Sequence, residues 1–333
     1  MDQESITRGI ISGIVDRYIR EIAQDPNRSI RKLLDMAECT SDGPTQKICY
    51  QMMQQMAADQ SSPYFEMIHH LVTSTNSKTI KNFGINLGRN AWTFGSGNIR
   101  RIIDQKGTPI SWAVIIDRGM DDNRISFSAI RDLVKKGREH EVYAWLLNPS
   151  ETLDEWNEYK ELFREHSDSV FGLTVTSDQL NDRILDESTE ICNLMLFLDT
   201  DSQDWQHSAE QLSKKGLLYS ACRFINTQEQ AEEILSGLWF EELLPYFPLM
   251  AFSITDDRLP RQTAQALKDY LWNTRLEQVY PILPVDLISD FVIINRLVTH
   301  YDILYRISPD GKICTAHELQ FEASPLTFED LFN

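Results

Sequence analysis

Trp112-Ala113-Val114-Ile115-Ile116-Asp117 is apolar at every position but its last and rich in β-branched side chains. A short run of that kind suits a strand buried on both faces. A helical pattern follows over Ser126–Glu139, with Ile130, Leu133 and Val134 on one face, and then a second apolar run, Val142–Asn148. The alternation continues along the chain. Val170–Thr176, Asn193–Asp199, Leu217–Ile225 and Phe247–Ile254 read as strands, and Thr152–Glu165, Asp178–Asp186, Asp204–Lys215, Thr227–Ser236 and Pro260–Asn273 as helices. Six strand–helix units at intervals of about 25–30 residues have the length of right-handed βαβ crossovers. The pattern predicts a parallel sheet covered by helices.

The sequence on either side has a different texture. Ile6, Ile10, Ile11, Ile14, Val15, Tyr18, Ile19 and Ile22 recur at helical spacing. Asp25-Pro26-Asn27 ends that helix and starts another over Ile30–Glu38; Ser41-Asp42-Gly43-Pro44 is a turn; Ile48, Met52, Met53 and Met56 stripe a third helix. That methionine stripe suits core filling more than docking. Ser62-Pro63 begins a fourth helix, through His69-His70, whose two rings leave different faces and so make a weak metal signal. Gly84, Gly88, Gly95 and Gly97 have no strand before them, which argues against a dinucleotide loop and for close helix packing and turns. Beyond Asn273 the chain becomes less regular. Ile303–Ile307 and Lys312–Thr315 flank Ser308-Pro309-Asp310-Gly311, a strong hairpin signal. Phe321–Asn333 is acidic and aromatic.

The 333 residues carry a formal charge of −18, with 42% hydrophobic and 25% charged residues. That composition supports a sizeable core, and the charge repels nucleic acid and anionic membranes. The acidic N-terminus lacks a secretory leader pattern, and no apolar run nears the ~20 residues of a membrane span. Cys39, Cys49, Cys192, Cys222 and Cys314 are few, odd in number and scattered, as in reduced cytosolic proteins. The expected location is therefore cytoplasmic.

Some local wording goes further. Asn82-Phe83-x-Ile85-Asn86, then Ile110-x-Trp112 through Asp117, resembles the entry to the first barrel strand in a subgroup of the radical S-adenosylmethionine (SAM) superfamily. Ile307-Ser308-Pro309-Asp310-Gly311-Lys312-Ile313 resembles the end of that subgroup's C-terminal extension. The resemblance runs from about Ile30 to the end. It implies an α/β fold: a helical N-terminal region (1–108), a partial (β/α)6 TIM-like barrel (109–275) and a C-terminal hairpin extension (276–333). Active members carry C-x3-C-x2-C after the first strand, whose thiolates hold a 4Fe–4S cluster that chelates SAM. Here that loop is Arg118-Gly119-Met120-Asp121-Asp122-Asn123-Arg124, without cysteine and shorter. The Gly-Gly-Glu-Pro-type SAM motif is replaced by Leu146-Leu147-Asn148-Pro149-Ser150-Glu151. Leu297 stands where an extension cysteine is expected, and Cys314 is out of register with another. The resemblance thus implies a degenerate member with no cluster and without the usual glycine contact to SAM.

Ligands of β/α barrels bind at the C-terminal ends of the strands. The polar residues there are Asp117 and Arg118, Asn148, Thr174 and Thr176, Asp199 and Asp201, Arg223, and Ser253, Asp256 and Asp257. Converging, they would line a small polar site; taken singly, Asp, Asn, Ser and Thr at strand ends equally serve as helix caps. Asp199-x-Asp201 could offer carboxylates to a divalent cation, but no histidine accompanies it. The other histidines have no ligand spacing, and no G-x-S-x-G, C-x-x-C, H-E-x-x-H or P-loop pattern occurs. The leading expectation is a pseudoenzyme that binds or scaffolds, with an active radical SAM enzyme or its peptide client as partner. Two alternatives stand beside it: a cluster-independent enzyme using Asp117, Arg118, Asp199 and Arg223, and a sensor that binds SAM or a related nucleoside. A closed pocket at the mouth would favour the enzyme; a mouth plugged by large side chains would count against it.

Overall fold

The computed structural model describes residues 3–39, 50–51, 53–119, 124–149, 151–326 and 332, with side chains from Gly9 onward. The turn expected at Ser41–Pro44, Ile48 and Met52 of the expected third helix, Cys49, residues 120–123 of the shortened loop, and Ser150 lie outside the described residues.

The N-terminal region is helical, as expected: α1 (Gln3–Gln24), α2 (Pro26–Cys39), a short helical stretch over 53–56, α3 (Tyr64–Ser74) and α4 (Ser77–Ile85). Ile22, Ile30, Ala57 and Phe65 form a small core of their own within it. The glycine-rich stretch is neither turn nor loop. It is a π-helix over Asn86–Gly95 that runs on into α5 (Ser96–Lys106). Close packing holds at Gly95, where a Cβ would lie 2.4 Å from the Asn90 carbonyl oxygen and 2.8 Å from that of Glu141; Gly84 and Gly88 have open space around them. Asn86 Nδ2 donates to the carbonyls of Ser167 (2.9 Å) and Ser169 (3.0 Å), and Asn90 Nδ2 to that of Asp168 (2.7 Å). These bonds pin the π-helix beneath the sheet, where Ala91 packs with Trp112, Tyr143 and Val170.

The expected strands all form: β1 (Ala113–Asp117), β2 (Ala144–Asn148), β3 (Val170–Val175), β4 (Leu194–Asp199), β5 (Tyr219–Ile225) and β6 (Met250–Thr255). They are parallel, in chain order, and the sheet curls into an open half barrel. Between them lie α6 (Phe127–Glu139), α7 (Trp156–Glu165), α8 (Asp182–Ser188), α9 (Trp205–Lys214), and α10 (Gln228–Leu235) with α11 (Leu238–Leu243); α12 (Arg261–Glu277) follows β6. Side chains of opposite parity on each strand face opposite sides. Val114, Ile116, Leu147, Leu173 and Leu196 point to these helices on the convex side.

The C-terminal part is more regular than the sequence suggests. β7 (Leu283–Asp286) adds a seventh parallel strand beside β6. α13 (Leu287–Thr299) then crosses to the far end of the sheet, where β8 (Leu304–Ile307) pairs parallel with β1. The hairpin expected from Asp310-Gly311 joins β8 to β9 (Ile313–Ala316), and β10 (Phe321–Ala323) ends the sheet antiparallel to β9. On its way α13 fills the concave side: Leu287, Ile288 and Val292 pack with Ile115, Leu146, Phe197 and Phe252. Gly172 makes that packing possible, since a Cβ there would lie 2.6 Å from the Phe197 ring and 2.8 Å from Leu146.

Candidate functional site

The C-terminal ends of the strands sort their polar residues by parity. Asp117 shares a face with Ile115, and Asn148 with Leu146, so both stand at the concave mouth. They are brought together: Asn148 Nδ2 donates to Asp117 Oδ1, and Thr174 Oγ1 donates to Asn148 Oδ1 at 3.0 Å. Arg306 of β8 completes the group, its Nε 3.6 Å from Asp117 Oδ2. Burial pushes the Asp117 carboxyl above its ordinary pKa; the Asn148 hydrogen bond and the Arg306 charge pull the other way, and the neighbouring Asp257 adds to the rise.

Arg306 was not among the residues read from the sequence. It also ion-pairs with Asp257, which follows β6, and its guanidinium lies 4.3 Å from the centre of the Phe321 ring of β10. Asp257 Oδ1 in turn accepts the Phe321 backbone N–H at 3.0 Å, and Gln320 Nε2 donates to the Leu259 carbonyl at 2.7 Å. β8 and β6 are far apart in the sheet order. These bonds therefore tie the two sides of the mouth together across the open half barrel, with β9 and β10 as the strap.

The remaining candidates lie elsewhere. Arg118, one residue beyond Asp117, turns to the convex side. It is 2% exposed, pairs with Glu155, donates from Nε to the Ile125 carbonyl at 3.3 Å, and sits 4.3 Å from the Phe127 ring centre. Arg223 also faces the helices, held by Asp201 (2.7 Å) and by Glu233 of α10 (2.6 Å). Ser253 is fully buried, and its Oγ makes no hydrogen bond among the described residues. Thr176 caps the 3-10 turn Ser177–Gln179, its backbone N–H donating to Gln179 Oε1 at 3.0 Å. Asp199 is on the concave parity, but its Oδ1 is engaged by the Asp201 N–H at 3.0 Å. Asp201 spends its own carboxylate on Arg223 and on Gln230 (2.7 Å). Both carboxylates of Asp199-x-Asp201 are thus engaged within the protein. Asp256 pairs with Arg258 at 2.7 Å.

Among the described residues the donor set does not fit an iron–sulfur cluster. Cys39, Cys192, Cys222 and Cys314 are free thiols; Cys222 is fully buried, and burial pushes its thiol pKa well up. Among the described residues no three His, Cys, Asp or Glu side chains gather where they could hold a metal ion. Within β2, Leu146 belongs to the concave core and Asn148 is bonded to Asp117 and Thr174. An open groove of about 400 Å³ lies outside the mouth, beside the strap, lined by Arg261, Arg296, His317, Glu318 and Glu322. Its cations are spoken for: Arg261 pairs with Glu318 at 2.7 Å and Arg296 with Asp302. No helix among the described residues is long and apolar enough to cross a membrane.

Fold and mouth together define an α/β half-barrel protein with a packed concave core. No known protein family profile matches the chain, and no curated protein sequence does. Among solved structures it is similar to Streptococcus suis SuiB. The matches are SuiB bound to S-adenosylmethionine (8% identity, TM-score 0.49, covering 70% of this chain and 66% of that one) and SuiB alone (7%, 0.46, 70% and 68%). SuiB bound to precursor peptide SuiA also matches (9%, 0.45, 64% and 61%). The chain thus spans just under two thirds of the length of the first of these. The likeness is distant and partial, and no residue role is carried over from it.

Proposed function

We propose that this chain is a non-catalytic protein of radical-SAM-like architecture that works as a binding or scaffolding module for a protein or peptide partner. The observation that carries the reading is the bridged mouth. At the strand ends, where ligands of β/α barrels bind, this chain holds Asp117 with Asn148 and Arg306 and ties the mouth across with Arg306 and Asp257. Loss of the C-x3-C-x2-C and glycine motifs from the sequence supports the same reading. A cluster-independent enzyme at the mouth would have to work with Asp117 held by Asn148 and by Arg306, which is itself tied to Asp257.

The test is iron and sulfide content, with a visible spectrum, on the full chain purified without oxygen. The expected result is no iron, no sulfide and no visible absorbance. Several irons per chain would overturn the reading. A thermal-shift series with SAM and its breakdown products separates the sensor alternative; no shift is expected.

A further inference from the structure

Leu238, Leu276 and Val279 are exposed at 54%, 50% and 51%, on two segments that meet at Tyr280. Leu238 opens α11, directly after Gly237, whose left-handed backbone (φ 85°) lies so close to the Tyr280 hydroxyl that a Cβ would come within 2.8 Å of it. Tyr280 follows Val279 and stacks on Phe240 of α11, ring centres 4.9 Å apart. Leu276 sits in the last turn of α12. Val279 is the second residue past that helix end, its N–H bonded to the Thr274 carbonyl at 3.2 Å. In such a helix ending the residue at Val279's position usually packs back onto the helix. Here it faces solvent. The buried faces of both elements are already used, by Trp239, Phe240, Leu271 and Thr274, and about half of each of the three aliphatic side chains is left to solvent.

The rim has one sign. Glu241, Glu242 and Glu277 are exposed and form no ion pair among the described residues. Arg275, the cation of that turn, points inward to Asp290 (2.8 and 2.9 Å). A second copy of this chain would set these glutamates against themselves, in a protein already at −18.

We propose that the surface of Leu238, Leu276 and Val279, rimmed by Glu241, Glu242 and Glu277, docks a partner-protein segment that presents aliphatic side chains flanked by Lys or Arg. The proposal deepens the binding-module reading by naming a surface and a partner chemistry. The apolar centre supplies binding energy, while the glutamates select a cationic partner and raise its association rate.

The probe is a synthetic amphipathic Leu/Lys helix, with a Leu/Glu helix as its counterpart, titrated calorimetrically into the full chain at physiological salt. The Leu/Lys peptide is expected to bind and the Leu/Glu peptide not. The double variant Leu238→Ser/Val279→Ser changes only exposed side chains and should weaken binding at least about tenfold, whereas Ile10→Ser/Met53→Ser, at exposed positions elsewhere, should leave it intact. Hydrogen exchange should slow over 237–244 and 274–280. No binding, equal binding to the double variant, or protection elsewhere would overturn the proposal. So would a dimer, seen by light scattering, that the double variant dissolves. If iron turns up in the protein while this surface still binds, the module reading fails and the surface assignment stands; the reverse pair of results separates them the other way.

Discussion

Arg306 draws three contacts together at the mouth. It answers two carboxylates, Asp117 and Asp257, and lies over an aromatic ring while remaining 21% exposed. Arg306→Ala leaves Asp117 partly buried without a cation and releases Phe321. Discounted for exposure, the expected loss is about 2 kcal/mol in urea unfolding; a loss within error of zero would mean that the strap is held by β9 pairing alone. Arg306→Lys keeps the charge but not the stacked plane and should fall between. Asp286 behaves differently. It caps α13, accepting from Ser289 N–H (2.8 Å) and Oγ (2.6 Å), yet full burial pushes its carboxyl up to about 6, with Asp290 adding to the rise. Between its ordinary 3.8 and about 6 the folded chain holds more protons here than the unfolded chain. Stability should therefore fall as pH rises through that window. Asp286→Asn keeps an oxygen for the cap and should flatten that limb, read as the difference between variant and wild-type stability from pH 4 to 7. An unchanged difference across the range would show that Asp286 is ionised throughout. Part of this was legible beforehand. Adjacent residues on a strand face opposite ways, so Asp117 and Arg118 had to separate; Arg223 shares parity with Ala221 and Ile225, which face the convex core. Arg306 carried a signal too, a lone cation in the apolar run Ile303–Ile307. Its partners did not, because Asp257 lies 49 positions away and is joined to it only by the way the half barrel closes.

At the scale of elements, the six strands were readable because each is a short apolar run between polar caps: Ser126 caps α6, accepting from the Ala129 N–H, and Thr227 with Gln230 forms a capping box at α10. β7 escaped for a physical reason. Leu283-Pro284-Val285-Asp286 is four residues long and contains proline, which cannot donate to a sheet ladder and is tolerated only at an edge; β7 is that edge. The π-helix was also hidden, since its register depends on Asn86 and Asn90 reaching the loop before β3. Gly95→Ala tests that packing. The new methyl group would meet two backbone oxygens, which cannot step aside, so a loss of about 3 kcal/mol in urea unfolding is expected; a neutral result would place the π-helix away from Glu141. The end of α12 holds strain of the opposite kind. Gln278 adopts a left-handed conformation (φ 54°), and its Oε1 is buried without a hydrogen-bond partner among the described residues. Glycine is the residue such a helix ending favours. Gln278→Gly is expected to raise stability by about 1 kcal/mol, measured as a shift in the unfolding midpoint.

Across the whole molecule, the segment over 276–326 is built into the barrel. β7 and β8 occupy different regions of one sheet, α13 between them forms the floor of the concave core, and β9 with β10 strap the mouth. A chain ending at 275 would expose Ile115, Leu146, Phe197 and Phe252 to water and leave the β1 edge unpaired, an aggregation-prone arrangement. Such a truncation is expected to be insoluble or to bind hydrophobic dyes, and a soluble product with a sharp unfolding transition would refute this account of the core. The N-terminal helices stand in a different relation. α1 and α2 surround a small core of Ile22 and Ile30 with Ala57 and Phe65. α3 also reaches the barrel, its Tyr64 hydroxyl donating to the Arg275 carbonyl at 3.0 Å and its His70 ring stacking on Phe247 at 4.6 Å between centres, and the π-helix is bonded to the loop before β3 through Asn86 and Asn90. Small cores open at lower free energy than large ones. Hydrogen exchange should therefore divide the helical region near Pro63, with the amides of α1 and α2 exchanging ahead of β1–β6 and those of the π-helix exchanging with them. Uniform protection across 9–106 would instead mean that the N-terminal helices and the half barrel unfold as one body.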